Sequence, residues 1–175
     1  AGNSTEHQKL EESLAQLKGT QRSLVFPTGY MANLAVVTAL MSRSDLMIMD
    51  RLNHASLMDA ARLSGGKIWI YPHRDVTRLE SLLSRAKNSS YRRIMVITES
   101  LFSMEGDIAP IPEILHLCEQ NDAILLIDEA HSTGVLGKKG RGVMDHFEIS
   151  LAYENLIIMG TLSKALGTLG GFIAG

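Results

Sequence analysis

The feature that most limits what this chain can fold into is a repeated alternation. Short apolar runs of four to six residues, bounded by polar or glycine residues, are separated by longer stretches with helical spacing. The apolar runs are Ser23–Phe26, Leu46–Asp50, Ile68–Tyr71, Ile94–Thr98, Ala123–Asp128, Leu156–Thr161 and Gly171–Ala174. Between them the spacing predicts helices over Tyr30–Met41, His54–Leu63, Val76–Ala86 and Pro112–Gln120, with a surface helix at Gln8–Leu17 before the first run. Strands that are apolar on both faces must be covered on both faces. The rhythm therefore predicts a three-layer α/β fold, built on a mostly parallel mixed sheet of about seven strands. One strand should run the other way: nine residues separate Thr161 from Gly171, fewer than the dozen or so that a parallel crossover needs.

Composition excludes several classes. Among 175 residues, 17 Lys+Arg stand against 19 Asp+Glu, a net charge of -2 that offers no field for a run of phosphates, so nucleic acid is not an expected partner. No apolar run approaches the roughly 18 residues of a membrane span, and the N-terminal residues lack a secretory pattern; a cytoplasmic protein without a membrane partner is expected. The single cysteine, Cys118, falls in an apolar helical pattern and reads as core. Zinc-type spacing such as H-E-x-x-H is missing, and no metal site is expected. Nothing before Ala1 looks like a domain start, and Gly175 lies inside a strand pattern. Residues 1–175 are expected to be one large domain within a longer polypeptide.

In open α/β sheets ligands gather beyond the carboxyl ends of the strands, which raises the interest of polar residues found there. Gly29 and Tyr30 follow the first run, His54 the second, His73 the third, Ser103 the fourth, Asp128 and His131 the fifth, and Lys164 the sixth. His73 and Asp75 also fit a plain turn. Of Glu99, Glu105 and Asp107, Glu99 is the one expected to face a ligand. The glycine-rich stretches Gly134–Gly142 and Gly160–Gly175 read as loops close to it.

Asp128 ends the run Ala-Ile-Leu-Leu-Ile-Asp-Glu-Ala-His, and a buried carboxylate there needs a cation, a metal or strong donors. Asp-Glu-Ala-His also matches the magnesium-binding strand of nucleotide hydrolases. That reading requires a G-x-x-x-x-G-K-[ST] loop; Gly65-Gly66-Lys67 is followed by Ile68 and preceded by Ala61 at the first glycine position. Lys164, in Gly-Thr-Leu-Ser-Lys-Ala-Leu-Gly, has small and apolar neighbours, a setting that suits a desolvated amine able to form a Schiff base. Pyridoxal phosphate needs such an amine for its aldehyde and a carboxylate for its ring nitrogen. Asp128 would be the second. The helix opening at Pro27-Thr28-Gly29-Tyr30 would receive the phosphate, His54 could stack on the ring, Ser103 and Thr161 offer hydroxyls, and His131 could donate to the phenolic oxygen.

Taken together, Gly2…His7…Leu10-Glu11, Phe26–Asn33, Asp50…Asn53-His54-Ala55-Ser56, Phe102–Asp107, Asp128–Gly134 and Thr161…Ser163-Lys164-Ala165…Gly170-Gly171 resemble the α-oxoamine synthase family of fold-type I pyridoxal phosphate enzymes. The resemblance implies that Lys164 carries the cofactor, Asp128 pairs with its ring nitrogen, His131 contacts its phenolic oxygen and His54 stacks on it. Gly29 and Tyr30 would lie on the phosphate side, with Ser103 and Thr161 as cofactor hydroxyls. It further implies a homodimer that condenses an α-amino acid with an acyl thioester, on coenzyme A or a carrier protein, with loss of carbon dioxide. Within the family the pattern is nearest the members that join alanine to a pimeloyl thioester in biotin synthesis. Glycine-using members share nearly every motif, and aminotransferases and lyases of the same fold type are the rival activities. The resemblance also places the substrate-carboxylate arginine and a small C-terminal domain beyond Gly175. One departure is His73-Arg74-Asp75, where His-Asn-Asp is frequent.

Overall fold

The computed structural model describes residues 3–150 and 153–175. Gly2, part of the resemblance above, lies outside the described residues.

Seven strands form one sheet in the order β1-β7-β6-β5-β4-β2-β3. They are β1 (Ser23–Phe26), β2 (Leu46–Asp50), β3 (Lys67–Tyr71), β4 (Ile94–Glu99), β5 (Ile124–Asp128), β6 (Leu156–Thr161) and β7 (Gly171–Ala174). The pairs β2–β3, β2–β4, β4–β5 and β5–β6 are parallel; β7 runs antiparallel to both β6 and β1, as the nine-residue connection requires. The helices are α1 (Thr5–Lys18), α2 (Gly29–Leu40), α3 (Ala55–Ser64), α4 (Val76–Lys87), α5 (Ile111–Gln120) and a single turn, α6 (Val143–His146).

Alternation along the strands builds a core on each face. In β2, Leu46 and Ile48 join the layer covered by α4 and α5, while Met47 and Met49 join the layer under α2 and α3. Leu125 and Ile127 of β5 likewise face one layer and Leu126 the other. Met41, Met47, Met49, Met95 and Met159 together fill the α2/α3 layer, the gap-filling role expected of scattered methionines. Cys118 is buried in the α4/α5 layer.

The helix ends follow local chemistry. Ser4 caps α1 in a capping box with His7, Thr28 Oγ1 accepts from Met31 N at the start of α2, and Asp75 Oδ1 accepts from Arg78 N at the start of α4. His73 and Asp75 therefore do form a turn. Its middle residue, Arg74, has φ 57°, in the left-handed region that Asn tolerates better than most side chains. Arg74 bonds Asp107 through its guanidinium (3.0 Å), while His73 bridges Asp50 (3.1 Å) and Asp107 (3.0 Å). Burial opposes charging His73, but its hydrogen bonds to Asp50 and Asp107 prevail and raise its pKa.

The structure adds the turn α6, at whose start buried Glu129 Oε1 accepts from Val143 N (2.9 Å). The Gly134–Gly142 loop packs at its start on Ala165, the neighbour of Lys164, and at its end wraps Glu129: Gly142, at φ 105°, lies so close to the Glu129 carboxylate that a Cβ would collide with it. Lys18, at the end of α1, reaches into the same place. Its amine pairs with Glu129 and donates to Thr133 Oγ1 (2.7 Å) and Arg141 O (2.7 Å).

Candidate active site

A cleft of about 260 Å³ opens at the carboxyl ends of β4, β5 and β6, beside the N-termini of α2 and α3. Its walls include Gly29, Tyr30, His54, Asp128, His131, Thr161 and Lys164. Seven of the eight residues singled out from the sequence thus converge. Ser103 does not. The chain turns away after Ser100, whose N–H bonds Asp128 O (2.9 Å), and residues 101–108 form a small bridged turn that leaves Ser103 exposed outside the cleft. His73 is engaged by Asp50 and Asp107 elsewhere.

Asp128 forms the floor at the end of β5, 5% exposed. Its Oδ1 accepts from Ala130 N (2.9 Å) and its Oδ2 from Asn33 Nδ2 (2.9 Å). Burial raises the pKa of this carboxyl; the two donors and the charges of Lys164 and His54 pull the other way. Lys164 springs from the exposed β6–β7 turn, but its amine dips into the cleft. Desolvation lowers its pKa, against the attraction of Asp128 and Glu99. Nζ lies 2.8 Å from His131 Nε2. His131 is itself held below its ordinary value, by burial first and then by the positive charge of Lys164. Glu129, a conceivable partner for His131, points the other way, into the Lys18 site.

His54 caps α3 through Nδ1, which accepts from Ser56 N (3.2 Å). Its own N–H donates to Glu99 Oε1 (2.6 Å). Glu99 is thus the member of the acidic run that reaches the cleft, and its burial, together with the neighbouring Asp128 charge, pushes its pKa up to about 7. Thr161 Oγ1 donates to Gly170 O (2.9 Å) and contacts Ser163 Oγ (2.9 Å). Tyr30 crosses the mouth and bonds Asp59 Oδ2 through its hydroxyl (3.0 Å). Behind α2, Gly171 sits against the backbone of Thr28 and Gly29; a Cβ at Gly171 would lie 2.6 Å from Gly29 N.

Sequence reading gave no role to the wall residues Asn33, Ser56, Ala130, Met159 and Ser163. Asn33 is wholly buried on α2, and its Nδ2 donates to Asp128 and to Ser56 Oγ (3.0 Å). The signal was available: one amide in an otherwise apolar helix has to find polar partners.

The donor set can be tested against a flat, anionic heterocycle. An acid, an amine and two imidazoles surround one space, and a helix N-terminus faces it with its first amides. These groups fit a phosphorylated aromatic aldehyde with a basic ring nitrogen. Among the described residues no cluster of three or more His, Cys, Asp or Glu side chains could hold a metal, and no helix is long and apolar enough to cross a membrane.

Known proteins agree in sequence and in shape. The chain is 52% identical over 174 residues to an 8-amino-7-oxononanoate synthase of Nitrosospira multiformis, covering 99% of this chain and 43% of that protein. It is 50% identical to the protein of the same name from Nitrosomonas eutropha, covering 99% and 44%. The chain therefore spans less than half the length of these relatives. A serine palmitoyltransferase from S. paucimobilis with a bound PLP–myriocin aldimine superposes with a TM-score of 0.92 at 34% identity, over 99% of this chain and 44% of that one. An 8-amino-7-oxononanoate synthase from Francisella tularensis superposes at 0.84 with 33% identity, over 99% and 49%. The family model for aminotransferase class I and II matches residues 2–175, and the chain belongs to that family.

Proposed function

We propose that this chain is the cofactor-binding part of a pyridoxal phosphate-dependent α-oxoamine synthase, which condenses alanine with a pimeloyl thioester and releases carbon dioxide. The observation that carries the reading is the placement of the Lys164 amine and the Asp128 carboxylate in one cleft, with His54 and His131 beside them. Choice of amino acid and acyl group rests on the relatives from Nitrosospira and Nitrosomonas named 8-amino-7-oxononanoate synthase, with which about half of all positions match.

Bound in the cleft, pyridoxal phosphate supplies an aldehyde for exchange of amines and a ring that draws electrons from the amino acid's Cα. Lys164 Nζ would hold the cofactor's aldehyde end, and as a free amine, its pKa lowered by desolvation, it could take the Cα proton. Asp128, its two oxygens fixed by Asn33 and Ala130, would keep a proton on the ring nitrogen. His131 Nε2, beside the Lys164 amine, would donate to the phenolic oxygen. His54 covers one ring face. The N–H groups of Gly29 and Tyr30, in the first turn of α2, receive the phosphate. The complete enzyme acts as a homodimer.

Borohydride reduction of the full-length protein, followed by peptide mapping, tests the cofactor site. The label is expected on Lys164, and Lys164→Ala is expected to abolish turnover. Labelling of a different lysine refutes the assignment. Product analysis with alanine, glycine and serine against pimeloyl and shorter thioesters tests the substrates; preference for glycine or serine would overturn that part.

A further inference from the structure

Asp128 and His54 belong to different strands and helices, yet a continuous path of hydrogen bonds joins them. Asn33 Nδ2 gives one hydrogen to Asp128 Oδ2 (2.9 Å) and the other to Ser56 Oγ (3.0 Å). Ser56 Oγ, having accepted, keeps its own hydrogen for His54 Nδ1 (2.8 Å). That nitrogen already accepts from Ser56 N (3.2 Å). The Ser56 backbone N–H and the Asp128 carboxylate set the directions. Reversing the Asn33 amide would set its oxygen against the Asp128 carboxylate, two acceptors in a buried site. With Nδ1 accepting twice, the neutral His54 ring carries its proton on Nε2.

The arrangement leaves Asn33 Oδ1 buried without a partner. An apolar side chain would remove that cost, so the two donated bonds are what the asparagine offers at this place. Ser56 makes no hydrogen bond to Asp128, and Asn33 makes none to His54; the hydrogen-bonded link between the two functional groups runs through the Asn33–Ser56 bond.

We propose that Asn33 and Ser56 are positioning residues that bind Asp128 and His54 into one hydrogen-bonded unit, fixing the carboxylate that meets the ring nitrogen and the tautomer of the imidazole that covers the ring. The proposal rests on the cofactor reading above. Lys164, Glu99, His131 and His54 are the ionisable groups that face Asp128; of these, only His54 is bonded to Ser56, and Asn33 is bonded to none of them.

The test uses the full-length protein with Asn33→Ala, Ser56→Ala, Ser56→Thr and the double Asn33→Ala/Ser56→Ala variant. Without cofactor, ¹⁵N shifts of the His54 ring report the tautomer: Nε2–H in wild type, a mixture in Ser56→Ala and Asn33→Ala, and recovery in Ser56→Thr. With cofactor, Asn33→Ala is expected to weaken pyridoxal phosphate binding about tenfold. It should also move the midpoint of the pH-dependent absorbance by about one unit. Ser56→Ala should move the same midpoint in the same direction by less, and the double variant should match Asn33→Ala alone. A purely structural role lowers thermal stability while leaving tautomer and midpoint in place, and that result overturns the proposal. So do additive shifts in the double variant. If Asn33→Ala fails to fold, Ser56→Ala against Ser56→Thr decides the question on the same readouts. Borohydride labelling away from Lys164 sinks the cofactor reading alone, since the cofactor-free tautomer measurement still judges the Asn33–Ser56 path.

Discussion

Gly171→Ala puts the placement of the phosphate end of the cleft to a direct test. Gly171 begins β7, held between Phe26 of β1 and Thr161 of β6, so it cannot retreat. A Cβ added there would stand 2.6 Å from Gly29 N and Cα and 2.7 Å from the Thr28 carbonyl carbon. Ordinary contact starts at 3.4 Å, so the first turn of α2 must move by about 0.8 Å. All three obstructing atoms are backbone, and no rotamer change can relieve them. Overpacking of this kind costs about 1–3 kcal/mol of stability. The displaced turn also carries the amides proposed to hold the phosphate, and a tenfold loss of pyridoxal phosphate affinity corresponds to about 1.4 kcal/mol. Gly65→Ala is the control: Gly65 ends α3 away from the cleft at φ 74°, where a side chain costs about 1–2 kcal/mol in backbone strain. Urea denaturation and absorbance titration on the full-length protein separate the two effects. The reasoning fails if Gly171→Ala binds pyridoxal phosphate within about twofold of wild type, or if Gly65→Ala loses as much affinity.

Breaking the buried Lys18–Glu129 pair with Lys18→Met should cost about 3–5 kcal/mol, because the Glu129 carboxylate stays buried without its cation. Adding Glu129→Gln should recover part of that loss in denaturant melts, whereas a loss under 1 kcal/mol for the single change, about the worth of a surface pair, contradicts the burial argument. Asp45 is held down at about 2, by the hydrogen bond from Arg92 foremost, although burial pushes the other way. Its folded value is below its unfolded one, so the stabilisation is complete above about pH 4 and disappears as pH falls towards 2. Arg92→Ala should therefore lower the melting temperature at pH 6 and narrow the gap to wild type at pH 2.5; a gap that stays constant over that range would show that the pair is not the cause.

What the sequence disclosed, and what it withheld, follows from how local each cause is. The bounds of β1, β2, β6 and β7 are legible to the residue because a run apolar on both faces ends where polar groups emerge, and the reversal of β7 follows from a nine-residue connection. Sheet order leaves no such trace. Nothing near β3 tells that it is an edge strand separated from β4 by β2, yet that order takes His73 away from the cleft to Asp50 and Asp107. Ser103 lies outside the cleft walls for a related reason: it is four residues past Glu99, and the chain has already turned at Ser100, while His131 and Lys164, each three residues past a central strand, line the cleft. The Lys18–Glu129 pair joins positions 111 residues apart, and neither partner has a neighbour that announces the other. Asn33 is the intermediate case. Its burial could be inferred from the apolar helix around it, but its partners could not, because Asp128 and Ser56 meet it only after β5 and α3 have packed on α2. A strand-end rule therefore nominates cleft-lining residues well where the strand is central and the residue is near its end; the groups that hold those residues in place come from the packing of whole layers.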